Sequence, residues 1–462
     1  MSFRFSSINL GCSKNLVDLE FAIGEILKYS DRTPIEYIED PEDPETDYVI
    51  VNTCGFLSSA REESEQTLSH YDNLGKKLIL MGCYVSVKDD TFLASLKNLH
   101  SVVPFISYTT IESLLFGKKG GIDIGAIVRA KVAMKESKEK KLTEYLGSIG
   151  GNQRGEKAFV WKGDEVRAYI HAPFGYEYLK IAEGCDNSCT FCIIPQIRGK
   201  QTSRKIEDVV KEVHTMLANG IREIQIIAQD TTRYGTDLYG EARLFELLEQ
   251  IEAIPEDFKF RLYYMYPDIL TLEHVKRLKT FKKLLPYFDI PFQHSSERIL
   301  KRMGRHYDET HVEAFLTSIR ENFPDAFIRT SFIIGFPGET DEDFEHLMAF
   351  VKRHNFESVG VFQYHDEALA ASSKLDQKVN EVVAKQRLKK LSKLLDEIYA
   401  KHAKNARGKT FSGYIMDAQK NTCIIRREIQ APEVDEYDEV KISAIIGNTK
   451  DLTVGQFVTY KL

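Results

Sequence analysis

The 462-residue chain has little of several features that would assign it to a specialised class. No uncharged stretch approaches the ~20 apolar residues that cross a bilayer, so we expect no membrane partner. The first residues, MSFRFS, lead into an alternating apolar pattern rather than the apolar core of a signal peptide, and we expect a cytoplasmic protein. Seven cysteines, an odd number in a large chain, argue against a disulfide framework and favour metal-binding or catalytic thiols.

The chain also lacks an excess of basic charge: 62 Lys and Arg stand against 69 Asp and Glu, and the net charge is −7. Residues 1–116 carry 9 Lys or Arg against 18 Asp or Glu, and residues 410–462 carry 6 against 8. No large region is basic enough for the usual nucleic-acid footprint, so we expect no sequence-specific nucleic-acid partner. The acidic first region would favour a basic partner through its long-range field.

What the sequence does contain is first a region that alternates apolar strands with amphipathic helices. We predict strands at 4–10, 47–52 and 77–81, with helices at 15–28 and 58–70. This alternation indicates a parallel sheet, in which ligands bind at the carboxyl ends of the strands. Cys12, Cys54 and Cys83 each follow one of these strands, so we expect the three thiols at one edge.

A second strand–helix region begins near residue 178 and predicts an incomplete or full barrel with its active site at the carboxyl ends of the strands. Its predicted strands are 178–182, 223–228, 260–265, 287–291, 327–334 and 358–362. A lysine-rich helix at 384–406 follows, for which packing on the barrel and RNA contact are the alternatives. The last ~50 residues form short strands without helices, as in a small OB-like β-barrel.

The fold class predicted is therefore α/β multidomain, with a parallel sheet, a central barrel and a small terminal β-domain. The predicted domains are 3–117, 171–404 and 405–462, with 118–170 as a charged, glycine-containing connector. We expect Trp161 to pack where the connector enters the barrel.

The sharpest motif is CxxxCxxC, formed by Cys185, Cys189 and Cys192 after the first barrel strand. Three thiolates in one loop can hold one corner of an iron–sulfur cluster, and no fourth cysteine is nearby to close it. One iron is then left open to a ligand. The alternatives are a structural zinc site that lacks a ligand and a chance grouping.

Cys12, Cys54 and Cys83 are either three buried core residues or the ligands of a second open cluster. Each is flanked by a glycine (Gly11, Gly55 and Gly82), which favours the cluster because glycine lets backbone approach a bulky ligand.

The CxxxCxxC motif at a barrel mouth, with Phe191 before its last cysteine, resembles the signature of radical S-adenosylmethionine enzymes. Together with the segment GCSKNLVD at 11–18, the three N-terminal cysteines and a terminal β-domain of TRAM type, it resembles the methylthiotransferases over nearly the whole chain. The segments CIIP at 192–195 and DIPFQH at 289–294 are similar to the branch that modifies a small-subunit ribosomal protein. The lysine-rich connector departs from the family pattern.

This resemblance implies an enzyme with two 4Fe-4S clusters. Cys185, Cys189 and Cys192 would hold the cluster that binds and cleaves S-adenosylmethionine to a 5′-deoxyadenosyl radical. The remaining trio would hold an auxiliary cluster that carries the sulfur, and S-adenosylmethionine would also be the methyl donor. The product would be a methylthio group on the β-carbon of an aspartate in the S twelve protein, free or in the assembled small subunit.

Further residues at strand ends are weaker candidates. Gln229, Asp230, Gly335 and Glu339 are candidate contacts to S-adenosylmethionine, with turn caps and an ordinary Pro-Gly turn as the alternatives. Gln293, His294 and Arg198 are candidate substrate contacts, with a buried structural histidine and a loop salt bridge as the alternatives.

An electron-donor protein and a sulfur source are implied as further partners. A transfer-RNA adenosine is the alternative substrate within the same chemistry. An iron–sulfur electron carrier or a ribosome-binding module without turnover is the alternative from another class. Cys423 lies in a predicted strand and is expected to be a buried small hydrophobe.

Overall fold

The structure is a computed structural model that describes residues 2–31, 33–104, 108, 111, 115–116, 159–169, 175–447, 449 and 452–462. Most of the charged connector, including the lysine-rich run, lies outside these residues. Trp161 is within them: its indole Nε1 donates to the carbonyl of Thr202 at 3.0 Å, and its ring packs edge-on against Phe159 and Tyr108. The prediction that Trp161 packs at the entry to the barrel is confirmed.

The N-terminal region is a five-stranded sheet in which every pair of neighbours is parallel. The strand order is β2-β1-β3-β4-β5, so the three predicted strands lie side by side in its centre. The strands are β1 (Phe3–Asn9), β2 (Ile35–Tyr37), β3 (Tyr48–Thr53), β4 (Lys77–Gly82) and β5 (Leu99–Val102). The helices are Ser13–Leu27, Ser58–Asn73 and Asp90–Ser95.

The central region is a six-stranded parallel sheet in the order β13-β12-β11-β10-β9-β6. Between β6 and β9 the chain forms a separate two-stranded ribbon of β7 and β8. The strands are β6 (Tyr176–Lys180), β7 (Ala182–Glu183), β8 (Thr202–Ser203), β9 (Glu223–Ile227), β10 (Lys259–Leu262), β11 (Leu284–Asp289), β12 (Phe327–Ile334) and β13 (Ser358–Gln363). The helices are Ile194–Arg198, Ile206–Ala218, Thr236–Tyr239, Leu244–Glu252, Leu272–Leu278, Glu297–Arg302, Glu309–Asn322 and Asp341–His354. All six predicted strands are confirmed.

The long helix Glu381–Ala406 inserts Leu391, Leu395 and Ile398 into the core of the barrel, which confirms packing as its role and leaves its lysines on the outer face. A five-stranded antiparallel sheet follows, in the order β16-β15-β14-β18-β17. Its strands are β14 (Thr410–Ala418), β15 (Thr422–Arg427), β16 (Asp438–Lys441), β17 (Ile445–Ile446) and β18 (Phe457–Lys461). Cys423 is fully buried in its core, as expected.

The terminal sheet is anchored at the amino ends of the barrel strands. Arg426 pairs with Glu223, the first residue of β9, at 2.7 Å, and Arg261 donates to the carbonyl of Glu428 at 2.8 Å. The N-terminal region attaches elsewhere, through packing of the helix Ser13–Leu27 against β6. The carboxyl ends of the barrel strands are therefore left to the cysteine loops. No helix in the described ranges is both long and apolar enough to span a membrane.

Candidate active site

The first cysteine trio lies at the carboxyl edge of the N-terminal sheet. Cys54 and Cys83 directly follow β3 and β4, and Cys12 follows β1 at the start of the next helix. The side-chain oxygen of Asn15 lies 3.5 Å from the sulfur of Cys12 and 3.7 Å from the sulfur of Cys83. These two sulfurs are therefore no farther apart than the sum of those distances, about 7 Å.

The flanking glycines let the cysteine loops approach each other. A Cβ on Gly55 would lie 2.8 Å from the backbone of Cys83, and one on Gly82, at φ +95°, would lie 2.4 Å from the carbonyl oxygen of Thr53. The glycines thus serve backbone-to-backbone packing between neighbouring strand ends. From the sequence, these glycines were expected to let backbone approach an inorganic ligand. The contacts that the structure shows are instead between protein backbones.

Burial and neighbouring cations shift the pKa values of the three thiols of this trio in different directions. Burial raises the pKa of Cys83 to about 11, partly offset by the Arg198 guanidinium, and it also raises the pKa of Cys54. Burial acts against ionisation of Cys12 as well, but Lys14 and Arg198 outweigh it and lower the pKa. Cys12 is thus the thiol of this trio most ready to become a thiolate.

The second trio lies in the loop that β7 and β8 enclose, at the carboxyl end of the barrel. Two backbone amides point at its sulfurs: the amide of Asn187 lies 3.4 Å from Cys185, and the amide of Ile194 lies 3.4 Å from Cys192. The sulfur of Cys189 lies 3.7 Å from the hydroxyl of Tyr266. The loop therefore fixes all three side chains near the barrel mouth.

Burial also makes ionisation of this trio costly. Burial, with a smaller contribution from the neighbouring cysteines, raises the pKa of Cys185 and of Cys192 to about 12. Buried thiols that disfavour the thiolate need a soft cation to release their protons. Iron supplies that charge, so the donor set suits an iron–sulfur cluster.

Unused hydrogen-bonding groups lie on the loops at the carboxyl side of the barrel sheet. Among the described residues, Oε1 of Gln229, Nε2 of His294 and both Nε and Nη1 of Arg305 are buried without a hydrogen-bond partner. The guanidinium of Arg305 stacks 4.1 Å above the ring of Tyr266, which itself contacts Cys189. Orphaned polar atoms are uncommon in native interiors and suit a site that takes a polar ligand. The barrel mouth therefore fits S-adenosylmethionine.

In the ranges that the structure describes, no three His, Cys, Asp or Glu side chains are close enough to hold a single metal ion. The ligands of a cluster are spaced by its iron atoms and lie farther apart than the ligands of one ion.

The candidate cofactor residues Gln229 and Asp230 both follow β9 but differ in their contacts. Gln229 donates to Glu183 at 2.7 Å and keeps its carbonyl oxygen unused. Asp230 accepts from the side chain of Asn187 at 2.7 Å and from the amide of Thr232 at 2.9 Å. Asp230 thus braces the second cysteine loop and caps its own turn, which favours the structural alternative for this residue.

The candidates that follow β12 also have protein partners. Gly335, at φ +77°, would place a Cβ 2.7 Å from that of Ala384, so it lets the long helix pack closely. Glu339 is 5% exposed, accepts from the amide of Gly335 at 2.9 Å and pairs with Arg387 at 2.7 Å. His294 lies 3.5 Å from Glu339, and its Nδ1 accepts from the amide of Ser296.

Gln293, next to His294, adopts φ +68°, an uncommon conformation for a residue with a side chain. Two backbone hydrogen bonds to β12 hold it there: its amide donates to Ser331 at 2.7 Å, and its carbonyl accepts from Ile333 at 2.8 Å. Gln293 therefore stays a candidate at the barrel mouth, with its backbone fixed by the neighbouring strand.

Arg198, expected to meet a substrate carboxylate, is instead held by the protein. It is buried, and it pairs with Asp18 at 2.6 Å and with Glu183 at 3.1 Å. It also donates to the sulfur of Cys83 at 3.1 Å and to the side chain of Asn15 at 2.8 Å. Arg198 therefore links the helix that follows the second trio directly to the first trio.

Asn15, Asp18 and Lys180 complete this link, and none of them was predicted as a site residue. Asn15 and Asp18 belong to the segment 11–18, which carries the family resemblance. Lys180 is fully buried in β6 and donates to Asp18 and Glu183. A lysine inside an otherwise apolar predicted strand was the available signal, since a buried charge requires a partner.

Comparisons with known proteins agree with this geometry. The Radical SAM superfamily model matches residues 179–351, and the model of the uncharacterized protein family UPF0004 matches residues 4–104. Ribosomal protein uS12 methylthiotransferase RimO from Clostridioides difficile is 36% identical over 98% of this chain and 95% of its own length. The same enzyme from Carboxydothermus hydrogenoformans is 37% identical over 95% and 93%.

Among solved structures, the radical S-adenosylmethionine methyltransferase TsrM from Kitasatospora setae is similar in fold. Its TM-score is 0.52 at 14% identity, covering 79% of this chain and 75% of that one. This likeness supports the arrangement of a parallel sheet beside a radical S-adenosylmethionine barrel.

Proposed function

This chain belongs to the ribosomal protein uS12 methylthiotransferases of the RimO family, and from that membership we propose that it adds a methylthio group to the β-carbon of an aspartate in uS12. The observation that carries the proposal is that two separate trios of cysteines, each without a fourth, are joined by one buried arginine. Such a pair of open sites suits a reaction that needs a radical source and a sulfur carrier together.

We assign one 4Fe-4S cluster to Cys185, Cys189 and Cys192 and an auxiliary one to Cys12, Cys54 and Cys83, each leaving one iron open to a ligand. When bound, the clusters and S-adenosylmethionine supply the one-electron chemistry, the methyl group and the sulfur, none of which side chains can provide. The protein's task is to hold these groups and exclude water from them.

The barrel mouth supplies the polar contacts for S-adenosylmethionine. Gln229 offers an unused acceptor and Arg305 offers unused donors at the second trio. His294 accepts from the amide of Ser296 at Nδ1, and its Nε2, 3.5 Å from Glu339, makes no hydrogen bond and is a candidate contact to the ligand. Asp230 and Glu339 act through other residues and not by contact with the ligand. Asp230 accepts a hydrogen bond from the cysteine loop, and Glu339 orients His294 and the turn at Gly335.

The target aspartate must be recognised by groups other than Arg198, since its nitrogens are engaged by Asp18, Glu183, Asn15 and Cys83. Arg305 and Gln293 remain as candidates that face the barrel mouth. The acidic N-terminal region supports a basic ribosomal partner through its long-range field. An electron-donor protein and a sulfur source are further proposed partners. A ribosomal substrate supports our proposal that the protein acts in the cytoplasm.

The proposal is tested by mass spectrometry of uS12 and of transfer RNA from a strain that lacks this gene. We expect uS12 to lose the mass of one methylthio unit while transfer RNA is unchanged, and a plasmid copy of the gene to restore it. A loss confined to transfer RNA would assign the alternative substrate. Unchanged uS12 and transfer RNA would overturn the proposal.

A second assay separates an enzyme from an electron carrier. The reduced, cluster-loaded protein is incubated with S-adenosylmethionine and assayed for 5′-deoxyadenosine, with Cys189→Ala as the control. The product is expected from the unaltered protein alone. Its absence with and without uS12 would favour an electron carrier.

A further inference from the structure

One arginine bridges the two cysteine trios. Arg198 ends the short helix that begins two residues after Cys192, and its Nε donates to the sulfur of Cys83 at 3.1 Å. Its Nη2 donates to Asn15, whose side-chain oxygen also lies against Cys12 and Cys83. The guanidinium thus contacts the first trio directly, while the residue that carries it ends the short helix that follows the second trio.

The same guanidinium is locked in position by buried charges. Its Nη1 pairs with Asp18, from the N-terminal region, and with Glu183, from the barrel. Lys180 pairs with both carboxylates as well, and all four side chains are no more than 2% exposed. Because turning the guanidinium away from the sulfur would break these buried ion pairs and its hydrogen bond to Asn15, the cationic end of Arg198 is held against Cys83.

We propose that Arg198 is a positioning residue that fixes the place of Cys83 relative to the second trio. We also propose that it stabilises the reduced form of the auxiliary cluster; both roles rest on the proposed function. Hydrogen bonds to cluster sulfurs and nearby positive charge favour the more electron-rich state. Arg198 provides both to Cys83. The second trio has no such contact with Arg198 among the described hydrogen bonds, so its cluster is affected less.

The test measures the midpoint potential of the auxiliary cluster in the full chain. A background with Cys185, Cys189 and Cys192 changed to Ala leaves this cluster alone to be titrated. The first variant combines Arg198→Gln with Asp18→Asn, which removes one charge of each sign and avoids an unpaired buried carboxylate. The second, Arg198→Lys, keeps the charge but loses the planar set of donors.

A matched control is available at the same interface. Arg167 is as buried as Arg198 and pairs with Glu20 from the same helix, but its described hydrogen bonds go to carboxylates and a backbone carbonyl. Arg167→Gln combined with Glu20→Gln therefore removes an interface ion pair without touching a sulfur.

We expect the Arg198→Gln, Asp18→Asn protein to keep its iron and to show a more negative midpoint potential, with Arg198→Lys between it and the parent. The control is expected to match the parent. An unchanged potential, an equal shift in the control, or loss of iron from both Arg198 variants would overturn the inference. Failure of the parent background to bind any iron would instead overturn the assignment of the auxiliary cluster.

Discussion

Asn15 makes more polar contacts than its place in the first turn of a helix requires. Its oxygen faces the sulfurs of Cys12 and Cys83 and accepts from Arg198, while its nitrogen donates to the carbonyl of Thr53 at 3.1 Å. It is 1% exposed. Asn15 therefore joins the loops after β1, β3 and β4 through one amide.

We predict that Asn15→Leu, which preserves approximate volume, prevents loading of the auxiliary cluster. The change leaves buried groups without a partner, which costs about 1–3 kcal/mol for each group. The measurements are iron content and the unfolding free energy of the metal-free chain. Asn219→Leu, at an exposed helix end, is the control that should change neither; full iron content in Asn15→Leu would contradict the prediction.

Glu177, in β6 where the N-terminal region meets the barrel, is expected to make stability depend on pH. Burial raises its pKa to about 7, with Arg167 opposing and Glu20 adding to the shift. Because the folded state holds this proton more tightly than the unfolded state, whose pKa is near 4.5, stability is greatest below that value.

We therefore predict that the contribution of Glu177 to the unfolding free energy of the metal-free chain falls as pH rises from about 4.5 to about 7. This loss should be on the order of 3 kcal/mol, since one pKa unit corresponds to ~1.4 kcal/mol. Glu177→Gln should flatten this part of the profile in urea unfolding. An identical slope in the variant would show that other groups cause the fall.

Single site residues were predicted from the sequence with unequal success. The six cysteines were predicted as cluster ligands because thiols are recognisable metal ligands and their spacing and position after strands are visible in the sequence. Arg198 was noticed but expected to face substrate, because sequence shows a cation and not its partners. Its partners Asp18 and Glu183 lie 180 and 15 positions away in the chain.

The cysteine loop of the barrel depends on a neighbouring turn for its shape. Gly304, at φ +73°, follows the helix Glu297–Arg302, and a Cβ on it would lie 2.5 Å from the carbonyl oxygen of Ser188. Thr190 adds two hydrogen bonds, from its amide to Met303 at 2.9 Å and from its hydroxyl to Arg302 at 2.8 Å.

We predict that Gly304→Ala displaces this loop and lowers the iron held by Cys185, Cys189 and Cys192 at least severalfold. Gly220→Ala is the matched control, since it has a similar φ of +84° but nothing within 4 Å of the added Cβ. Both variants carry the same backbone strain, so only contact with the loop separates them. Equal iron content in the two variants would contradict the prediction.

A second element, the segment that follows β13, ties the N-terminal region to the barrel. The carboxylate of Glu367 accepts from the amide of Ser58 at 2.9 Å, at the start of the helix Ser58–Asn73, and pairs with Arg61 at 2.7 Å. The same segment reaches the cysteine loop, where the amide of Ser372 donates to Thr190 at 2.8 Å. It therefore holds both cysteine loops.

We predict that Glu367→Ala loosens the start of the helix Ser58–Asn73 by about 1–3 kcal/mol, since it removes a helix cap and a half-buried ion pair. Hydrogen exchange of that helix should become faster while exchange in the barrel helices is unchanged. Glu357→Ala, which breaks an ion pair to Arg320 inside the barrel, should show the reverse pattern. Unaltered exchange at Ser58–Asn73 would contradict the assigned role.

Elements with strong apolar periodicity were predicted well from sequence. The strand 327–334 was predicted with the bounds that the structure gives. Short strands such as β2 and β5 were missed, because three or four residues carry too little pattern to distinguish from a loop. The small helix Glu297–Arg302 was missed for the same reason.

At the scale of the whole molecule, the two cysteine regions form a single working unit through the helix Ser13–Leu27. This helix begins directly after Cys12, supplies Asp18 to the arginine bridge and supplies Glu20 to Arg167. It belongs in sequence to the first sheet, yet it packs on β6 of the barrel. The sequence predicted a helix at 15–28 and the order of the regions, but not that this helix packs on the barrel, because its buried face is polar where it meets β6.

The central claim is that each cysteine trio carries its own cluster, and the iron bound per chain tests it most directly. Iron and acid-labile sulfide are measured after anaerobic reconstitution of the unaltered protein, of the Cys12, Cys54, Cys83→Ala variant and of the Cys185, Cys189, Cys192→Ala variant. We predict that each triple variant keeps half of the iron and that the combined variant keeps none. Iron content that is unchanged by removal of Cys12, Cys54 and Cys83 would contradict the account.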